Sequence, residues 1–164
     1  MFYGAVFKAL NKAKVKYVVA GGAAVVLYGY TRFTQDLDLI VLLEENNLKK
    51  FYEALKAIHY SPKVPVAKEQ FSDSKQRQQW KKQKGMIVFS FVDQNPPFQM
   101  VDMFVDEPIK FEELYKHKKD VRVEGIKIPL IAIDHLLKLK KKAGRDKDLD
   151  DIVQLNEIKR INKK

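Results

Sequence analysis

Asp36 and Asp38 stand at alternate positions at the start of an apolar run, "DLDLIVLL". On a β-strand, alternate residues share a face, about 6.5–7 Å apart, so both carboxylates project together. Two like charges on an apolar element cost free energy through repulsion and desolvation unless a cation neutralises them. Carboxylate oxygens are hard donors on a rigid support. They suit Mg²⁺ or Mn²⁺, with waters and substrate phosphates completing the shell. The plainer reading of a bare Asp-x-Asp is a strand end in water, one acid capping a turn. Three further features favour the metal. Gly21-Gly22 lies between a predicted strand and a predicted helix, where backbone N–H groups can approach a phosphate without a side chain intervening. Arg32 and Thr34 just precede the acids and offer a guanidinium and a hydroxyl to phosphate oxygens. Asp102 breaks a second apolar run, "FQMVDMFV". If that strand neighbours residues 36–43, three carboxylates converge on one site.

The elements that must carry these residues follow from patterning. Apolar positions at helical spacing predict a helix over 2–14, and "VKYVVA" (15–20) predicts a buried strand. A short helix (23–30), a polar turn, the strand 36–43 and an Asn-capped helix (46–60) come next. "SPKVPV" reads as extended and 73–84 as a polar helix. The segments 86–92 and 98–105 read as a strand hairpin, 108–118 as a helix with Pro at its first position, and 121–128 as a tight hairpin. Two helices finish the chain, 132–143 and 147–161, divided by Gly144 with Asp146 as N-cap. The fold class expected is α/β (α+β): a mixed β-sheet flanked by helices, with C-terminal helices.

Composition narrows the function classes. The 164 residues suit a single domain, residues 1–164, and 46% hydrophobic content belongs to a folded protein. Without cysteine there is no disulfide, thiol chemistry or thiolate metal site. Glycines break the longest apolar stretch, so no membrane span is expected. The first ten residues carry neither a basic leader nor a cleavage site, and a cytoplasmic location is the expectation. The net charge of +10 is lysine-heavy and clustered at 76–85, 116–119, 138–145 and 159–164. Such clusters keep a surface solvated, and together they attract a polyanion such as RNA.

The run "VVAGGAAVVLYGYTRFTQDLDLIV", followed by the later strand with Asp102, resembles the DNA polymerase beta-like nucleotidyltransferase superfamily. It looks most like the branch of AbiEii-type abortive-infection toxins and related stand-alone bacterial nucleotidyltransferases. "VPVAKEQFSDSKQRQQWKKQKGMIVFSF" and "LLKLKKKAGRDKDLDDI" are similar to that branch too, so the resemblance spans most of residues 15–155. It implies one nucleotidyltransferase-like domain with a core over 15–130 and a helical element over 131–164. It further implies Asp36, Asp38 and Asp102 as catalytic metal ligands. Gly21, Gly22, Arg32 and Thr34 would bind nucleotide.

On a helical wheel, Ile133, Leu136, Leu137 and Ala143 form the apolar face of the first C-terminal helix, and Lys140 projects into its middle. Lys138, Lys141 and Lys142 point away. A lysine so placed often snorkels to the surface. The resemblance instead nominates Lys140 for phosphate contact, with Asp148 and Asp151 beside it. Those two acids also suit the dipole at a helix start. Trp80 stacks a base or, more simply, packs a helix on the sheet. Asp106 reads as a turn residue, and His59, His117 and His135 as surface residues without ligand spacing.

The activity implied is Mg²⁺-dependent (or Mn²⁺-dependent) transfer of a nucleoside monophosphate from a nucleoside triphosphate to an acceptor hydroxyl. The acceptor is RNA such as tRNA, a protein or a small molecule, and an antitoxin protein is an implied partner. The rival reading is a catalytically inactive nucleotide- or RNA-binding module on the same fold.

Overall fold

The computed structural model describes residues 2–162; the last two lysines of the basic tail 159–164 lie outside the described residues. Its elements run α1 (Gly4–Lys12), β1 (Tyr17–Val19), α2 (Gly21–Leu27), β2 (Asp36–Val41), α3 (Glu45–Lys56), β3 (Tyr60–Pro62), α4 (Lys68–Ser72) and α5 (Ser74–Lys84). They continue with β4 (Val88–Asp93), β5 (Met100–Phe104), α6 (Phe111–His117), β6 (Lys119–Val123), β7 (Ile126–Leu130), α7 (Ile133–Ala143) and α8 (Asp146–Ile161). Seven strands form one mixed sheet in the order β3-β4-β5-β2-β1-β7-β6.

The expected α/β architecture is the observed one. β4 and β5 pair as the expected antiparallel hairpin, and β6 and β7 as the other. β1 lies antiparallel to β2 and parallel to β7, whereas β2 and β5 run parallel. Both inner strands are buried along most of their length, which explains their continuous apolar sequence. α1 packs on α3 and β7, α2 on β2 and α7, and α7 on α8. Phe51, Phe71 and Phe91 interlock at centroid distances of 5.3–6.1 Å. Trp80 stacks on Phe89 at 5.2 Å, so it holds α5 against the sheet.

Several expectations need correction. Tyr60, read as the end of a helix, begins the edge strand β3, because the chain turns at His59 with φ of 68°. A further short helix, α4, precedes the predicted polar one. Pro108 lies three residues ahead of α6 rather than at its first position. Arg145, not Asp146, is the N-cap of α8, and Asp148 accepts a hydrogen bond from the Arg145 backbone N–H at 3.2 Å. Gly144 ends α7 in the left-handed region, φ 62°, as its sequence position implied. Ala143 is exposed and does not belong to the packed face of α7. Asp106 does lie in a turn and pairs with Lys81. Lys138, Lys141 and Lys142 are exposed as expected. The histidines are not all isolated surface residues: the rings of His117 and His135 approach to 5.7 Å.

Candidate active site

The acids gather where three strands meet. β1 ends at Val19, and the Ala20 N–H donates to the Asp38 carbonyl at 2.9 Å, which sets the following turn against the start of β2. Because β2 and β5 are parallel and in register, Asp38 lies opposite Asp102 and Asp36 opposite Met100. Register partners share a face, so Asp36, Asp38 and Asp102 occupy the same side of the sheet. The three carboxylates do not close into a group whose oxygens all lie within 4.8 Å. Their main chains are fixed in register by the ladder. A donor set of three carboxylates fits Mg²⁺ or Mn²⁺.

Gly21 and Gly22 open α2 directly against these acids. Gly21 has φ of 60°, and a Cβ there would lie 1.8 Å from Asp38 Oδ2. A Cβ on Gly22 would lie 2.6 Å from Thr34 Oγ1, with an Arg32 guanidinium nitrogen 3.4 Å away. The two glycines are therefore required by the close approach of Asp38, Thr34 and Arg32, and these five sequence-nominated residues meet in one place. The Gly22 backbone N–H donates to the Asp38 carboxylate.

Electrostatics match the crowding. Burial, with the charges of Asp102 and Asp36, pushes the Asp38 carboxyl up to about 6, against the opposing pull of Lys140 and the Gly22 N–H. Asp102 is raised as well, by burial first, although the Ser90 hydroxyl donates to its Oδ1 at 2.6 Å. Tyr3 closes the site from the side. Its hydroxyl donates to the carbonyls of Gln35 (2.6 Å) and Met100 (2.9 Å), tying the entries of β2 and β5 together. Burial, with smaller effects from the three aspartates, raises the Tyr3 phenol to about 12.

Lys140, Asp148 and Asp151 are also brought together, but inside the protein. Lys140 is 4% exposed, and its Nζ lies 3.0 Å from Asp148 Oδ1 and 2.7 Å from Asp151 Oδ2. Arg32 reaches Asp151 at 2.5 Å, and Arg145 reaches Asp148 at 2.7 Å. In this arrangement the direct partners of Lys140 are carboxylates of α8. The network still adjoins the acids, because the charges of both Lys140 and Arg145 act on Asp38. Opposing the effect of burial, hydrogen bonds from Arg145 and Lys140 hold the Asp148 carboxyl down at about 2.

Two contributors escaped the sequence reading. Ser90 is the lone polar residue of the alternating "VFSFV", so a signal existed. Tyr3 sits in an ordinary amphipathic pattern and carried none.

No helix among the described residues is long and apolar enough to cross a membrane. The fold is shared with solved nucleotidyltransferases. The lincosamide antibiotic adenylyltransferase LnuA, bound to lincomycin, superposes with a TM-score of 0.61 at 18% identity, over 96% of this chain and 94% of that one. ANT(2″)-Ia in complex with adenylyl-2″-tobramycin gives 0.60 at 10% identity, over 94% and 85%. An antigenic nucleotidyltransferase-like protein from Paracoccidioides brasiliensis gives 0.59 at 16% identity, over 91% and 71%. No curated protein sequence matches the chain. Residues 2–164 match the family described as "Nucleotidyl transferase of unknown function (DUF2204)", and the chain belongs to that nucleotidyltransferase family.

Proposed function

We propose that the protein transfers a nucleoside monophosphate from a nucleoside triphosphate to an acceptor hydroxyl, using Asp36, Asp38 and Asp102 as metal ligands. The observation that carries this reading is the parallel register of Asp38 with Asp102 beside the Gly21–Gly22 turn. When bound, Mg²⁺ or Mn²⁺ would lower the acceptor hydroxyl's pKa and neutralise the departing pyrophosphate. In the transfer, a bond forms between the acceptor oxygen and the α-phosphorus. The bond from that phosphorus to the oxygen bridging to the β-phosphate breaks. Asp102, held by Ser90, receives the acceptor proton. Thr34 and Arg32 contact the triphosphate, and Gly21 and Gly22 serve its binding by letting Thr34, Arg32 and Asp38 close on the start of α2. Lys140, Asp148 and Asp151 serve the same nucleotide site from beneath, by fixing Arg32 and Arg145 and by drawing charge off Asp38.

The acceptor we favour is RNA, including tRNA. The net charge of +10 and the exposed lysines of α5 and α7 support a polyanion. A small-molecule hydroxyl is the second reading, favoured by the lincomycin and tobramycin complexes of the structural neighbours. Membership of the AbiEii-type branch, an antitoxin partner and a cytoplasmic site of action belong to this proposal on the motifs quoted above.

The test is incubation of the protein with each α-labelled nucleoside triphosphate, Mg²⁺ and, separately, total RNA, protein extract and a panel of aminoglycosides and lincosamides. Label should pass to one class with the native protein and to none with Asp38→Ala. Binding of triphosphate without transfer to any class, by native protein and variant alike, would establish the inactive module instead.

A further inference from the structure

The cluster outside the aspartate site with the strongest chemistry joins α6 to α7. Glu113 and His117 are one turn apart on α6, so their side chains lie side by side on its surface. His135, in the first turn of α7, faces them. Glu113 Oε1 lies 3.2 Å from His117 Nδ1 and 3.4 Å from His135 Nε2. One donor atom from each of the three residues lies within 4.8 Å of the other two.

We propose that Glu113, His117 and His135 form a second metal centre, for a divalent ion of the nitrogen-preferring class such as Zn²⁺. Donors about 2.0–2.1 Å from a tetrahedral Zn²⁺ lie roughly 3.3–3.4 Å from one another. Two of the three donor separations already have that length. The third, between the imidazoles, closes by rotation of His117, which is half exposed. His117 Nδ1 also lies 3.0 Å from the Glu113 carbonyl oxygen. Metal binding replaces this contact and leaves the proton of the His117 ring on Nε2. The fourth position remains open to water or to a ligand of a partner.

The donor types separate this centre from the aspartates. Two imidazoles and one carboxylate favour Zn²⁺ over Mg²⁺, whereas three carboxylates favour Mg²⁺ or Mn²⁺. Affinity has a ceiling. His135 Nδ1 is buried with no hydrogen-bond partner. Loading Nε2 places a proton on Nδ1 with no acceptor, and outer partners of this kind are worth about ten- to a hundred-fold in affinity. The centre is therefore weaker than one whose ligands all have outer partners, and it clips α6 to the helix that carries Lys140.

The experiment is titration calorimetry of tag-free, chelator-stripped protein with ZnCl₂ in excess Mg²⁺, with melting curves in parallel. One Zn²⁺ should bind and raise the melting temperature. His117→Ala should weaken binding at least about tenfold, and a Glu113→Gln/His135→Gln variant should abolish it. Asp38→Asn should leave both the stoichiometry and the shift intact, which makes the result independent of the transfer reaction. Equal isotherms for native protein and His117→Ala would overturn the proposal, as would loss of the Zn²⁺ response in Asp38→Asn. If native protein binds no Zn²⁺, the cluster is an ion pair between Glu113 and the imidazoles, and the proposal fails.

Discussion

Two groups of charges lie side by side in this protein and are built on opposite principles. Asp36, Asp38 and Asp102 are like charges on one sheet face, relieved only in part by Ser90 and the Gly22 amide. Arg32, Lys140, Arg145, Asp148 and Asp151 are opposite charges interleaved within 2.5–3.0 Å of each other. The first group lacks a cation in direct contact among the ion pairs described, and in the proposed reaction a divalent ion supplies it. The second carries its own counter-charges and can be buried, with Asp148 at 0% exposure. A buried charge is tolerable when paired, whereas an unpaired group is retained where a ligand repays its cost.

The sharpest way to break this comparison is through activity. Asp38→Ala should reduce transfer by roughly a thousand-fold or more, exceeding the loss of a single stabilising donor. Single-turnover rates at saturating Mg²⁺ would measure it. A residual rate near that of native protein would remove Asp38 from the chemistry.

The paired group should show its effect in stability instead. Lys140→Met leaves Asp148 and Asp151 without their shared ammonium, and breaking a buried pair costs about 3–5 kcal/mol. Lys142→Met, on the exposed side of α7, should leave the urea midpoint unchanged. If both variants unfold alike, the Lys140 ammonium adds nothing to stability despite its two carboxylate partners.

Gly21→Ala should do a smaller, mixed damage. The new methyl strikes Asp38 Oδ2 and the backbone is held at φ 60°. The expected result is a loss of about 1–2 kcal/mol from the left-handed backbone alone, together with a smaller Mg²⁺-induced rise in melting temperature. An unaltered metal response would mean that the carboxylate relocates freely.

The subtlest contrast is in pH. Burial, with the charges of Asp102 and Asp36, pushes the Asp38 carboxyl up from 3.8 to about 6. The folded state therefore keeps a proton that the unfolded chain releases, and stability from this group falls as pH rises from 4 to 6. Opposing burial, hydrogen bonds from Arg145 and Lys140 hold the Asp148 carboxyl down at about 2. Its contribution is present above pH 4 and is lost as pH falls through 2. Denaturant midpoints in chelator should lose the first slope in Asp38→Asn and the second in Asp148→Asn. Parallel pH profiles for the two variants would erase the distinction between the groups.

How far each group could be read in the sequence follows from the same physics. The aspartates announced themselves because charge on apolar alternation is rare, and Gly21-Gly22, Arg32 and Thr34 lay close by in the chain. Lys140 was visible as a charge on an apolar helix face, but its partners were not. The approach of Arg32 to Asp151 depends on how α8 packs on α7, which no local pattern encodes. The proximity of His117 and His135 is hidden from the sequence for a related reason: Glu113 and His117 share one turn of α6, and tertiary packing brings His135 to them. Pro108 misled because its fixed φ suits a helix start but equally suits the turn before one.

The parallel pairing of β2 with β5 has a kinetic consequence. Three helices and two strands separate the two strands in the chain, so their alignment closes a long loop and is entropically late. Asp38 and Asp102 face each other only after that closure. During refolding, helical circular dichroism should therefore recover before any catalytic turnover. A chain still emerging from the ribosome, with β5 unmade, would already hold the Gly21–Gly22 turn beside Asp38 yet lack Asp102 opposite it.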